Sequence, residues 1–216
     1  MFSTIFLSFI LLFQMPTITA QPQPSPSPKP SPAPIVQMLD EPTATTKHSI
    51  RVGGKPLNYT TTAGFMPLRN AQTGETEAKI FYMAYILDDA AKQKNRPLMF
   101  SFNGGPGSAS VWLHLGALGP KRVKMLDDGL MPPPPYEMED NAQTWLTETD
   151  LVFIDPVGTG YSRMTKPELA SKFFSVNGDI ESIGEFIRMY LGRENRWSSP
   201  LFLVGESYGT TRAAGL

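Results

Sequence analysis

The sequence predicts an α/β fold with a mostly parallel central sheet flanked by helices. Three observations carry that expectation. Short apolar runs recur between residues 46 and 216, glycine-rich turns close three of them, and an amphipathic helical pattern separates the last two. In such sheets ligands gather beyond the carboxyl ends of the strands, which is where the glycine-rich turns fall.

The chain opens with "MFSTIFLSFILLFQMPTITA" (1–20), whose apolar run Ile5–Phe13 is too short to span a bilayer. With Ala20 as a small residue at a cleavage point, it reads as a secretory signal peptide, implying a secreted or periplasmic protein with no stable membrane insertion after cleavage. No Lys or Arg precedes the run. Residues 21–45 form a Pro-rich linker in which proline takes every second position from Pro22 to Pro34. Each ring fixes φ and removes an amide donor, so polyproline II is the expected state.

The folded part is 46–216. "HSIRVGG" and "KPLNYTTTAG" (48–64) predict a hairpin around Gly53-Gly54. "AKIFYMAYIL" (78–87) is apolar enough for a strand covered on both faces. "RPLMFSF" (96–102), "TDLVFID" (149–155) and "SSPLFLV" (198–204) read as short buried parallel strands. Between the last two, Ile180, Ile183, Ile187 and Leu191 recur at helical spacing opposite Glu181, Glu185 and Arg188. "MPPPPYEMEDN" (131–141) is expected to be an exposed loop.

Composition excludes several chemistries. The net charge of −1 gives no electrostatic basis for binding nucleic acid. With no cysteine there is no disulfide, thiolate metal site or cysteine nucleophile. The two histidines, His48 and His114, have no partners at metal-ligand spacing, so neither a metal nor any other cofactor is expected.

Chemistry concentrates in the three turns. "SFNGGPGSAS" (101–110) brings backbone close to a ligand with its N–H groups inward, and the helix expected after it adds a positive dipole end. This suits an oxyanion hole or a phosphate cradle; the absence of a following Lys-Ser/Thr and of G-x-G-x-x-G spacing favours the former. In "IDPVGTGYSR" (154–163), Asp155 reads as a carboxylate that holds its turn by accepting backbone N–H groups, ahead of a catalytic role. "GESYG" (205–209) follows an apolar strand and leads into helix-compatible sequence, the setting of a nucleophile elbow. Ser207 is then the nucleophile, and the N–H of Tyr208 is one oxyanion donor. The second donor is expected from "NGGPG", counted here as the loop after the third strand.

Together "NGGPGSAS", "NAQTWL…DLVFIDPVGTGYS" and "GESYGT" resemble the serine carboxypeptidase family (peptidase family S10) of the α/β-hydrolase fold, over roughly residues 48–216. The resemblance implies attack by Ser207 on the scissile carbonyl, with the amides of Gly105 and Tyr208 as the oxyanion hole. It also implies that Asn103 and Glu206, helped by the Gly104 backbone, bind the substrate carboxylate. The implied partner is a peptide with a free C-terminus. Because Glu206 can hydrogen-bond a carboxylate only when protonated, peptidase activity favoured at acidic pH is expected.

Three features depart from the family pattern. The position of a second Glu, fourteen residues after Asn103, is Ala117; "DPVG" is one residue short of the common Asp-x-Pro-Val-Gly form; and disulfides are absent, as in a bacterial branch. The fold's chain order is Ser, then Asp or Glu, then His, but only "YGTTRAAGL" follows Ser207. The expectation is therefore an α/β-hydrolase truncated after its elbow and inactive by itself. Its last strand would be left as an uncovered apolar edge. His114 is expected to be packed or partly exposed and His48 solvated. Another α/β-hydrolase activity (esterase or acyltransferase), or a non-catalytic secreted binding fragment, stays open as an alternative.

Overall fold

The computed structural model describes residues 43–88 and 95–216. The stretch 1–20, expected to be a signal peptide, and the expected linker up to residue 42 lie outside the described residues. Strand geometry begins at Ala44, within the last residues of the stretch read as linker.

The opening hairpin forms as expected, from β1 (Ala44–Val52) and β2 (Lys55–Arg69), turning on Gly53 and Gly54. Both turn glycines have positive φ, 56° and 78°, the left-handed pair that a two-residue hairpin loop demands. β3 (Thr76–Leu87) pairs antiparallel with β2. β4 (Leu98–Phe102) is followed by a short helical segment, α1 (Val111–Leu113), running into a π-helical turn at His114–Leu118. β5 (Lys121–Val123) and β6 (Met138–Asp140) make a separate two-stranded ribbon. Then come β7 (Asp150–Ile154), β8 (Arg163–Met164), α2 (Ala170–Phe173), α3 (Val176–Arg193), β9 (Leu201–Gly205) and α4 (Tyr208–Gly215).

Among the described residues the main sheet has seven strands, in the order β1-β2-β3-β7-β4-β9 with β8 on β3. The sheet is mixed. β7, β4 and β9 run parallel, and the earlier strands join them through antiparallel pairs. The strand before the "NGGPG" loop is the fourth along the chain, because the hairpin's second arm is a full fifteen-residue strand. The parallel strands β4 and β7 are buried at all five positions.

The period of two sorts each strand between two cores. Leu98, Phe100, Phe102, Val152 and Ile154 face one core, where Ile183, Phe186, Tyr190 and Leu191 of α3 cover them. Met99, Leu151 and Phe153 face the other, closed by Leu118, Leu146, Tyr59 and Tyr85. Two of the four apolar positions read for α3, Ile180 and Ile187, are only half-buried; Phe186 and Tyr190 hold the centre of the stripe.

The Pro-rich loop ends in structure. Its last residues form β6, zipped to β5 by Arg122–Glu139 at 2.7 Å and by a Lys121–Asp140 ion pair, with Lys124–Glu137 at 2.9 Å just beyond. β9 lies at the edge of the sheet with Leu201, Phe202 and Leu203 exposed. No helix among the described residues is long and apolar enough to cross a membrane.

Candidate active site

The site is built where β4 and β9 end side by side. Their parallel register sets Phe102 opposite Gly205, so the chain segments that follow, Asn103–Gly107 and Glu206–Gly209, leave the sheet together. Glu206 N–H donates to the Phe102 carbonyl at 3.3 Å. Adjacency of two parallel strands thus joins motifs a hundred residues apart in sequence.

Ser207 has φ 56° and ψ −124° and is exposed, with α4 starting at the next residue. A non-glycine residue held there costs about 1–3 kcal/mol, and such strain gathers at functional sites. The flanking glycines make it feasible. A Cβ on Gly205 would stand 2.0 Å from the Gly209 carbonyl oxygen, and one on Gly209 would stand 2.7 Å from that of Phe102. The turn is closed by Gly209 N–H on the Glu206 carbonyl (2.8 Å) and Thr210 N–H on the Ser207 carbonyl (2.9 Å).

The "NGGPG" loop lies directly against this elbow. A Cβ on Gly104 would come within 2.4 Å of the Tyr208 nitrogen and 2.7 Å of the Glu206 carbonyl oxygen. Gly105 takes φ 103°, and a Cβ there would meet the Gly107 nitrogen at 2.5 Å. Tyr208 is the first residue of α4, so its N–H has no intrahelical acceptor. The two amides expected to hold an oxyanion therefore belong to segments in direct contact.

Asn103 and Glu206 also meet. Asn103 Nδ2 donates to Glu206 Oε2 at 3.1 Å, while Asn103 Oδ1 accepts from Leu113 N–H at 3.0 Å. Asn103 is buried and Glu206 exposed, so the pair presents a carboxyl group at the mouth and a fixed amide behind it. Ala117 is exposed, and its carbonyl accepts from Asn141 Nδ2 at 2.7 Å.

Other titratable groups are engaged elsewhere. Asp155 Oδ1 accepts from Ser110 N–H at 2.9 Å and Oδ2 from Tyr161 N–H at 3.4 Å, the turn-holding role read for it. Burial pushes its carboxyl above the ordinary range, against the pull of those donors and Arg163. His114 Nε2 lies 2.5 Å from the Tyr85 hydroxyl, and the ring stacks on Phe153 at 4.5 Å. Burial depresses its pKa to about 4. His48 is exposed, 2.7 Å from Thr46 Oγ1.

The helix expected after the "NGGPG" loop is only α1 and one π turn. Gly116 loosens it, and Gly119 closes it by donating to the His114 carbonyl at 3.0 Å, with Pro120 next. A dipole of a few residues adds little, so the loop's own amides carry the polarity there.

Beside Tyr208 a cavity of about 300 Å³ opens between Pro106, Val157, Phe173 and Phe174. Among the described residues no group of three or more His, Cys, Asp or Glu could hold a metal ion.

Sequence reasoning missed Arg212. It is fully buried, pairs with Asp179, and donates through Nη1 to the Asn103 carbonyl at 2.7 Å. In "TTRAAG" it reads as an exposed helix residue; the one signal was an acid, Asp179, on the helix that packs against α4.

Comparison with known proteins agrees with this geometry. A family profile described as serine carboxypeptidase (Peptidase_S10) matches residues 53–212. Serine carboxypeptidase-like 2 of Arabidopsis thaliana is 30% identical over 137 residues, 62% of this chain and 29% of the relative. Serine carboxypeptidase-like 3 of the same plant is 31% identical over the same length, again 62% of this chain and 29% of the relative. The chain thus spans under a third of the curated relatives it matches. The crystal structure of Kex1(delta)p, a prohormone-processing carboxypeptidase from Saccharomyces cerevisiae, superposes with TM-score 0.53 at 28% identity, over 69% of this chain and 31% of that one.

Proposed function

Since the chain belongs to the serine carboxypeptidase family, we propose that the protein it forms part of releases C-terminal residues from peptides through an acyl-enzyme on Ser207. The observation that carries the proposal is the meeting at one strand edge of a strained serine, a glycine loop pressed on it, and the Asn103–Glu206 pair at 3.1 Å.

Ser207 Oγ forms a bond to the scissile carbonyl carbon and gives its proton to a general base. In this fold that base is a histidine later in the chain. The Gly105 and Tyr208 amides hold the oxyanion. Collapse expels the amine, which takes that proton from the base. Water then attacks the ester carbonyl, giving a proton to the base, and Ser207 Oγ leaves with that proton as the shortened peptide acid is released. Asn103, the Gly104 backbone and Glu206 hold the substrate carboxylate, and the apolar walls of the cavity beside Tyr208 suit an apolar side chain. Residues 1–20 support secretion; N-terminal sequencing of the mature protein is expected to begin at Gln21, and a retained Met1 would contradict it.

Two carboxyl groups share a hydrogen bond only while one keeps its proton. KM for peptides with a free C-terminus is therefore expected to rise as pH increases. In the full-length Glu206→Gln variant, whose amide donates at every pH, that rise should largely disappear. An unchanged KM profile in this variant would remove Glu206 from carboxylate binding.

A further inference from the structure

The elbow helix carries a cation that the reaction does not use and that stands behind the carboxylate corner. Arg212 has no exposed surface. Its guanidinium lies 5.3 Å from the Phe102 ring centroid and 5.4 Å from that of Tyr208. Nε donates to Asp179 Oδ2 at 2.9 Å, and Nη2 makes an ion-pair contact with the same oxygen at 2.8 Å. Nη1 donates to the Asn103 carbonyl at 2.7 Å. One side chain thus ties together α3, the end of β4 and the first turn of α4.

The bond to the Asn103 carbonyl has a directional consequence. The Asn103–Gly104 peptide is planar and trans, so its C=O and N–H point in opposite directions. Anchoring the carbonyl on a buried guanidinium fixes that plane and aims the Gly104 N–H away from Arg212. Asn103's side chain has its own anchor in Leu113 N–H, so backbone and side chain are held separately. The carbonyls on either side have other partners, Phe102 with Glu206 N–H at 3.3 Å and Gly104 with Ser108 N–H at 3.0 Å. Without the guanidinium, the Asn103 carbonyl between them loses its anchor and the Asn103–Gly104 peptide can tilt.

We propose that Arg212, held by Asp179, is a positioning residue that sets the Asn103–Gly104 peptide plane and so aims the backbone donor for the substrate carboxylate. The inference rests on the assignment of Asn103, Gly104 and Glu206 to carboxylate binding. It adds a residue that touches no substrate and reaches the carboxylate corner through the Asn103 carbonyl. Its signature is selectivity: substrates with a free carboxylate should suffer and those without one should not.

The test compares the full-length protein with its Arg212→Met and Arg212→Lys variants on an N-benzyloxycarbonyl dipeptide and on the C-terminal amide of the same dipeptide. For Arg212→Met, KM for the acid is expected to rise about tenfold, the order expected for one misaligned hydrogen bond to a charged group. Its kcat, and kcat/KM for the amide, should stay within about threefold. Arg212→Lys keeps a cation and one donor and should recover part of the KM. If Arg212→Met does not fold, Asp179→Asn, which frees the guanidinium but leaves it in place, should give the same selective change at smaller size. Equal losses on acid and amide, or no change on either, would overturn the positioning role. A wild-type protein that does not distinguish acid from amide would instead overturn the carboxypeptidase assignment itself, whatever Arg212 does.

Discussion

In the full-length protein, Ser207→Ala is expected to lower kcat by at least about 10⁴-fold while leaving peptide binding nearly intact. Removing the Oγ deletes the bond-forming atom, and whatever rate survives comes from the oxyanion donors and binding alone. Folding should tolerate the change. Ser207 is exposed and Ala keeps the Cβ, although φ 56° is no easier for Ala than for Ser. A fluorophosphonate probe should label the wild-type protein once, at Ser207, and leave the variant unlabelled. Residual activity above a tenth of wild type, or labelling at another serine, would place the nucleophile elsewhere.

A second large effect lies at the opposite end of the parallel strands. Asp150, the first residue of β7, has no exposed surface. Its Oδ1 accepts from Arg96 Nε at 2.9 Å and Leu87 N–H at 3.0 Å, and Oδ2 accepts from Arg196 Nη1 at 2.8 Å. The arginines are in turn bonded: Arg96 Nη2 to the Leu146 carbonyl, Arg196 Nε to Ser199 Oγ at 2.7 Å, and Arg196 Nη2 to the Arg96 carbonyl at 3.0 Å. Asp150→Ala would leave two buried guanidinium groups without their anion, a change that costs about 3–5 kcal/mol. Against a total stability of about 5–15 kcal/mol, that is enough to unfold a marginal domain. Urea titration of the full-length variant should show a matching fall in midpoint. A loss below about 1 kcal/mol would mean that water or a local shift compensates the arginines.

The main strands were legible because burial on both faces writes continuous apolar runs, as in "LMFSF" and "DLVFI". The antiparallel half of the sheet was less so. "KPLNYTTTAG" announces one hairpin arm, but its extension to Arg69 is set by pairing with β3 rather than by its own pattern. β6 hid behind four prolines, because charge pairs with β5 rather than hydrophobic alternation hold it. Ser207 and the glycine loop were legible because steric crowding leaves few residue types possible. The buried arginines were not. Apart from Ser199 on Arg196, the partners that place Arg212, Arg96 and Arg196 lie 33 to 109 residues away, and no local pattern distinguishes these arginines from surface charges.

The central claim is that this strand edge recognises a free C-terminus beside a nucleophilic serine. The most direct test is kcat/KM of the full-length wild-type protein, near pH 5, on an N-blocked dipeptide and on its C-terminal amide. Two hydrogen bonds to a charged carboxylate, each contributing about 1.5 kcal/mol or more, predict that the acid is preferred by about 10²-fold. Equal rates on acid and amide, or a preference for the amide, would contradict the claim and leave Asn103 and Glu206 as a structural pair beside a serine of some other hydrolase.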